Sequence, residues 1–373
     1  MVLDILTLGL EQRLASSAPP PRVLLLGDAD FAYATALSTK LGSHAKITAT
    51  AFEEEDALLV RYPHAASSMA ALRSMGATVR CGIDGRRVEV LDPSKAWERV
   101  VFNLPQSPAE PKARNQIQRH RALLRELCVS CANHLAPEGE LWITLLSGQG
   151  GTPLDPVQRA TGDTWRIQEQ AAFAGLLVSA VAAVDLGALE AAGYAPTGRR
   201  ANQPLGKRRK AKGLIAHVLT AAQPEAHESA PRGVAPLEYT LDNSFWLGDG
   251  EDAPTPAELL ARCRDALGAY EAHALSAEPA LIDSYERPED GRRARTYRFV
   301  YRSSVLPLCR ERALELNSRV CAALSAHDAL APRIPSPQTI DEHAQVASER
   351  DGHSSSAASS LGDGADASSA AAT

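Results

Sequence analysis

Four short stretches of the sequence carry polar residues at the ends of apolar runs, each of a type that suits a small-molecule ligand. "LLLGDADF" (24–31) ends in Gly27, Asp28 and Asp30, and "ITATAFEEED" (47–56) leads to Glu53. "TVRCGID" (78–84) ends on Asp84, and "RVVFNLP" (99–105) ends on Asn103 and Pro105. A glycine at a strand tip lets a ligand come close to the backbone. Only one glycine is present, so the first stretch is not the G-x-G-x-x-G pattern that wraps a pyrophosphate, and a ligand without phosphates fits it better. A carboxylate at Glu53 is placed to accept hydrogen bonds from both hydroxyls of an adenosine ribose. The alternative is an acidic cap at a helix start. Asp84 stands where an adenine edge would be read and Asn103 where a transferred group would lie, though each also suits a turn. Their joint position on four successive strand tips favours a site.

A second set of residues suits nucleic acid. "GRRANQPLGKRRKAKG" (198–213) is the densest basic run, and Lys207, Arg208, Arg209 and Lys210 would contact phosphates if it is more than a solvated loop. In "TYRFVYRS" (296–303), period-two alternation puts Tyr297, Phe299 and Tyr301 on one face and Arg298 and Arg302 on the other. The aromatic face is expected beneath helices, with the arginines outward. Trp246 adds a stacking platform if it shares the arginines' face, a register the sequence leaves open. The alternative is an ordinary solvated sheet face. Cys128 and Cys131 have zinc-like spacing, but they lie in a helical run with no second pair, so they read as core cysteines and no metal is expected.

The elements that must hold these residues alternate. Val23-Leu24-Leu25-Leu26 is apolar without alternation, as a strand buried on both faces should be. Further strands are expected at 46–52, 77–84, 99–105 and 139–146, with a helix over 116–135. Repeated βα units of this length imply a doubly wound parallel sheet over residues 21–220, following an N-terminal extension (1–20). Residues 221–236 lose periodicity and read as a linker. The order β-α-β-β-α over 237–334, with a helix N-capped at Thr255 and a hairpin around "RPEDGR", is most of a split βαβ sandwich, an α+β ferredoxin-like domain. Beyond it, 335–373 is rich in Ser, Ala, Gly and Asp with few apolar anchors, which predicts disorder.

Composition bounds the function. At 373 residues the chain suits about two domains. A net charge of −6 excludes a protein that coats nucleic acid by uniform basicity, leaving room for local basic patches. Six cysteines without a secretory signal point to a reducing compartment. No stretch is long enough to span a membrane, and neither a signal nor a transit peptide is expected.

The blocks "VLLLGDADFAYATALS", "ITATAFEEEDALLVRYP", "VRCGIDGRRV", "WERVVFNLPQS", "GELWITLLSGQGGTP" and "AGYAPTGRR" together resemble the Rossmann-like large-subunit rRNA uridine-N3 methyltransferase family over 21–219. The resemblance implies S-adenosylmethionine as cofactor and N3 of a uridine as methyl acceptor. It also implies a cytoplasmic or nucleolar place of work. Gly27, Asp28 and Asp30 would then bind the methionine part, Glu53 the ribose and Asp84 the adenine, with Asn103 facing the transfer. The sequence departs from the family's Gly-Asp-Gly-Asp-Phe-Ser at Ala29 and Ala32, and from Asn-Phe-Pro-His at Leu104 and Gln106. The departure at Gln106 bears on substrate more than on cofactor. The second unit, with "SFWL", "YRFVYRS" and "LNSRVCAAL", is similar to the ferredoxin-fold anticodon-binding domain of phenylalanyl-tRNA synthetases. The pairing is similar to ferredoxin-fold anticodon-binding domain-containing proteins, with RNA, ribosomal or transfer, as partner. The expected function is an RNA methyltransferase. The alternative is an RNA-binding protein that keeps the fold without turnover.

Overall fold

The computed structural model describes residues 2–11, 19–91, 93, 97–107, 115–196, 199–200, 203–204, 213–224, 231–248, 253–326 and 330–333. Its first unit is an eight-stranded sheet. The strands are β1 (Val2–Leu3), β2 (Arg22–Leu26), β3 (Lys46–Thr50), β4 (Thr78–Arg80), β5 (Trp97–Asn103), β6 (Leu135–Leu146), β7 (Leu176–Val184) and, after the short pair β8 (Arg199–Arg200) and β9 (Gln203–Pro204), β10 (Leu214–Ala221). The order across the sheet is β1-β7-β10-β6-β5-β2-β3-β4. β4, β3, β2, β5 and β6 run parallel, while β10 is inserted antiparallel between β6 and β7. The order reverses at β2, whose neighbours are β3 and β5. That reversal makes the crevice outside the carboxyl ends of β2 and β5 the expected ligand site of an open α/β sheet.

The apolar run of β2 is explained by two cores. Val23 and Leu25 pack on one face with Tyr33, Leu37 and Leu41 of α1 (Ala32–Leu41) and with Met69 and Leu72 of the later helix Ala65–Ser74. Leu24 and Leu26 pack on the other face against Leu124, Leu127, Cys128 and Cys131. With α2 at Glu55–Arg61 and α3 at Ala65–Ser74, the helix carrying those cysteines is α4 (Gln116–Ala132). Cys128 and Cys131 are fully buried core residues, as expected. The unit is the doubly wound Rossmann-like sheet the alternation called for.

Three local expectations need correction. The third strand covers only 78–80, so Asp84 lies in the turn beyond it and not at its end. β6 begins at Leu135, earlier than the expected 139, with a register irregularity between the Trp97–Leu135 and Arg99–Glu140 pairs. Residues 2–10, expected as an extension, join the sheet: Val2 and Leu3 pair parallel with β7, and Ile5, Leu6, Leu8 and Leu10 are buried in the first core.

After α5 (Ile167–Ala172) and α6 (Leu186–Ala191), the second unit runs β11 (Glu238–Leu247), α7 (Pro256–Glu271), β12 (Ala280–Glu286), β13 (Arg293–Arg302), α8 (Arg310–Ser325) and β14 (Leu330–Pro332). All its strands pair antiparallel in the order β12-β13-β11-β14, which completes the ferredoxin-like sandwich. α7 starts with the expected cap. The Thr255 hydroxyl accepts from the Glu258 amide at 3.3 Å, the Glu258 carboxylate accepts from the Thr255 amide at 2.8 Å, and Pro256 follows. Residues 233–235 bridge the units: the Gly233 amide donates to the Ser304 carbonyl, the Val234 amide donates to the Val178 carbonyl, and the Gln168 side chain donates to the carbonyls of Val234 and Ala235. The segment from 335 lies outside the described residues.

Candidate functional site

The tips of β2, β3 and β5 are tied into one rim. The Asp28 amide donates to the Thr50 carbonyl at 2.9 Å, the Ile83 amide to Ala51 at 2.9 Å, and the Leu104 amide to Thr144 at 2.8 Å. Gly27 has φ +63, and a Cβ there would stand 2.6 Å from the Phe102 ring, so both backbone and space require glycine. The turn that follows β5 is equally constrained: Leu104 holds φ +51, a conformation costly for a branched side chain and characteristic of sites.

The sequence-predicted residues divide into two sorts. Asp28 and Asp30 serve the start of α1, the first accepting from the Ala34 amide at 2.7 Å and the second from the Ala32 amide at 3.1 Å. Desolvation raises the Asp28 carboxyl to about 7, with Asp30 pushing the same way. His64 Nε2 stands 3.5 Å from the Asp30 carboxylate. Asn103 is held at the switch point. The buried Tyr33 hydroxyl donates to the Ile5 carbonyl at 2.5 Å, and the Asn103 Oδ1 is buried without a partner among the described residues. A buried acceptor left open costs about 1–3 kcal/mol.

Glu53 and Asp84 have partners. The Arg61 guanidinium donates to Glu53 at 2.5 Å, and Arg86 forks onto both oxygens of Asp84, holding its carboxyl below the usual range, while also reaching Glu126 at 3.0 Å. Both carboxylates are thus held in ion pairs with partly exposed guanidinium groups. Surface pairs of this kind contribute only about 0–1 kcal/mol.

On the second unit the register settles where Trp246 points. β11 and β13 pair Asp242 with Arg298, Glu238 with Arg302, and Trp246 with Ala294, so Trp246 shares the arginines' face. Tyr297, Phe299 and Tyr301 lie on the other, buried against the helices, as the alternation predicts. Arg298, however, is committed: two of its nitrogens donate to the Asp242 carboxylate at 2.8 and 2.9 Å. The cations grouped around Trp246 are ones the sequence reading missed. Arg287, Arg292 and Arg333 stand 4.4, 4.9 and 5.1 Å from its ring centre, and Arg333 also covers Tyr285 at 4.3 Å. Arg287 shares its charge with Asp290. Two of the three flank the "RPEDGR" turn, a signal visible in the sequence; the third needs the β11–β14 pairing. Lys207, Arg208, Arg209 and Lys210 lie outside the described residues.

Residues 24–194 match the family model described as BMT5-like, rRNA (uridine-N3-)-methyltransferase BTM5-like. Among curated proteins, the chain is 33% identical over 207 residues to human ferredoxin-fold anticodon-binding domain-containing protein 1, covering 55% of this chain and 32% of that one. The mouse homolog is 32% identical over 208 residues with the same coverage. The chain thus spans about a third of the length of these relatives. Among solved structures it is similar to the 16S rRNA methyltransferase KamB, with 14% identity, a TM-score of 0.35, and coverage of 57% of this chain and 92% of that one. It is also similar to TrmN from Thermus thermophilus, with 14% identity, a TM-score of 0.33, and coverage of 56% and 46%.

Proposed function

We propose that the protein is an S-adenosylmethionine-dependent RNA methyltransferase acting on N3 of a uridine, in ribosomal or transfer RNA. The observation that carries this reading is the open Oδ1 of Asn103 beside the glycine tip of β2, in a region that matches the BMT5-like model. The rim suits the cofactor. Gly27 admits close approach, the Asp28 and Asp30 carboxylates suit the methionine amino group, Glu53 suits the ribose hydroxyls and Asp84 the adenine amine. When bound, S-adenosylmethionine supplies an electrophilic methyl on its sulfonium. The chain's own task is then alignment: Asn103 would orient the acceptor base by accepting its N3–H, and that proton passes to solvent before the ring nitrogen takes the methyl.

We assign the transfer to residues 21–220 and RNA docking to 237–334, joined by 221–236. The open face of the second sheet supports docking because Trp246 and Tyr285 offer stacking surfaces with Arg287, Arg292 and Arg333 around them, the cation-and-aromatic combination that single strands favour. The basic run from Lys207 to Lys210 is assigned to phosphates on charge alone. Calorimetric titration of S-adenosylmethionine into the full chain tests the cofactor half of the proposal. Binding that weakens about tenfold or more in Glu53→Ala is the expected result, and no binding to the wild-type chain would overturn it.

A further inference from the structure

The loop that follows β6 opens beside the proposed transfer site. Asn103 of β5 pairs in register with Thr144 of β6, and Ser147 is the first residue past that strand. Buried Asp155 staples the near side of the loop, accepting from the Ser147 hydroxyl at 2.6 Å, the Gly148 amide at 2.6 Å and the Val157 amide at 2.9 Å. The Gln158 side chain donates to the Asp155 carbonyl at 2.5 Å. Arg121, buried on α4, holds the far side by donating to the carbonyls of Thr161 at 2.9 Å, Gly162 at 3.0 Å and Thr164 at 2.9 Å.

A loop bonded in this way keeps its shape, yet it holds apolar side chains in water. Leu154 is 49% exposed and Val157 39% exposed, each preceded by an exposed proline, Pro153 and Pro156. Gly148 lets the loop close beneath them: it holds φ +82, and a Cβ there would stand 2.9 Å from Val157 Cγ1 and 2.8 Å from Arg159 Nε. The Val157 and Arg159 side chains therefore lie across the base of the loop, with Arg159 exposed to solvent. Apolar side chains scattered singly on a surface need no explanation, but two of them on one rigid loop, beside a cation and at the rim of a site, do.

The N3 of a uridine lies on the edge that pairs with adenine, so an enzyme that acts there on a paired base must first take it out of the stack. The step it leaves behind has to be propped open, and leucine and proline are among the side chains that wedge between bases. We infer that the knuckle from Pro153 to Val157 is such a wedge: Leu154 and Val157 enter the stack beside the acceptor uridine, and Arg159 takes the phosphate next to it. The rigidity given by Asp155 and Arg121 suits this role, because a wedge that folded back would not hold two bases apart. The inference deepens the proposed function and rests on its acceptor, a uridine, but not on turnover.

Its test therefore reads the RNA rather than the product. The full chain, saturated with S-adenosylhomocysteine, is added to a short RNA duplex whose only uridine is paired with adenine and has 2-aminopurine as its neighbour, a base that brightens when unstacked. At saturating protein the wild-type chain should raise the fluorescence at least about twofold, and Leu154→Ala combined with Val157→Ala should cut that rise about fivefold. Leu154→Phe, which keeps an apolar wedge, should retain it. Arg159→Ala should lower the salt slope of duplex binding by about 0.9, the share of one phosphate contact. No rise with the wild-type chain, or a rise that survives the double alanine variant, would overturn the inference. A rise that depends on Leu154 and Val157 in a chain that transfers no methyl group would support this inference while sinking the proposed activity; methyl transfer to the same duplex without any rise would do the reverse.

Discussion

At the tip of β5 the Oδ1 of Asn103 is buried without a partner among the described residues. Asn103→Ala is expected to reduce methyl transfer about 10- to 100-fold, the worth of one strong hydrogen bond to a reacting base, while S-adenosylmethionine affinity stays within about twofold. Single-turnover rates beside calorimetry check it, and an equal loss in both would move Asn103 to the cofactor. Asp28 gives a pH prediction. Its carboxyl titrates near 7 in the folded chain against 3.8 as its ordinary value, so the folded state holds a proton that the unfolded state has released. This residue's contribution is full below pH 4 and is lost as the pH rises through about 7. His217, buried and lowered to about 4, acts in the opposite sense, its contribution being lost as the pH falls below about 6.5. Denaturant unfolding from pH 4 to 8 should therefore show Asp28→Asn gaining on wild type as pH rises. A constant difference would mean the carboxyl is not desolvated. The placement of Gly27, Asp28 and Asp30 just past β2 and of Asn103 at the end of β5 was legible from the apolar runs that precede them. The Arg61 and Arg86 partners of Glu53 and Asp84 were not legible, since their guanidinium directions are set by α2 and a turn whose geometry the local sequence does not show.

At the scale of elements, the two cores on either face of β2 explain why its four apolar residues do not alternate, and the tight turn after them explains its glycine. Gly27→Ala is expected to destabilise the fold by about 1–3 kcal/mol, because the residue keeps a positive φ and the new methyl meets the Phe102 ring. A shift of the urea midpoint without a change of slope would show it, and no shift would mean the turn relaxes freely. The period-two reading of β13 was correct because its aromatic face has only one place to go. The partner of Arg298 was not legible, since Asp242 meets it directly across the strand pair, which β13 alone cannot show. Charge reversal at Arg292 and Arg333 is therefore expected to weaken RNA binding at least about tenfold and to lower its salt slope by about 0.7 for each lost phosphate contact. Reversal at Arg298 should do less. Filter binding at several salt concentrations separates the two, and the opposite ranking would return docking to the Arg298 end of the face.

At the scale of the whole molecule, two units with unrelated topologies are joined through 233–235, which bonds to Val178 on one side and Ser304 on the other. The chain as a whole, at net −6, is not basic enough to bind RNA by charge alone, so the proposed docking rests on the cluster around Trp246 and the run at 207–210. No helix among the described residues is long and apolar enough to cross a membrane, and none of them forms a group suited to a metal ion. The division into units was legible because strand and helix periods change character across 221–236. The burial of Ile5 to Leu10 was not, because an isolated amphipathic stretch carries no sign of which sheet edge it will complete. The central claim meets its most direct test in one assay: the full chain incubated with methyl-labelled S-adenosylmethionine and either large-subunit ribosomal RNA or transfer RNA lacking the modification, followed by digestion to nucleosides. The account predicts label in N3-methyluridine from one of the two RNAs, and its loss in Asn103→Ala; label in a different nucleoside, or none from either RNA in a chain that binds the cofactor, would contradict it.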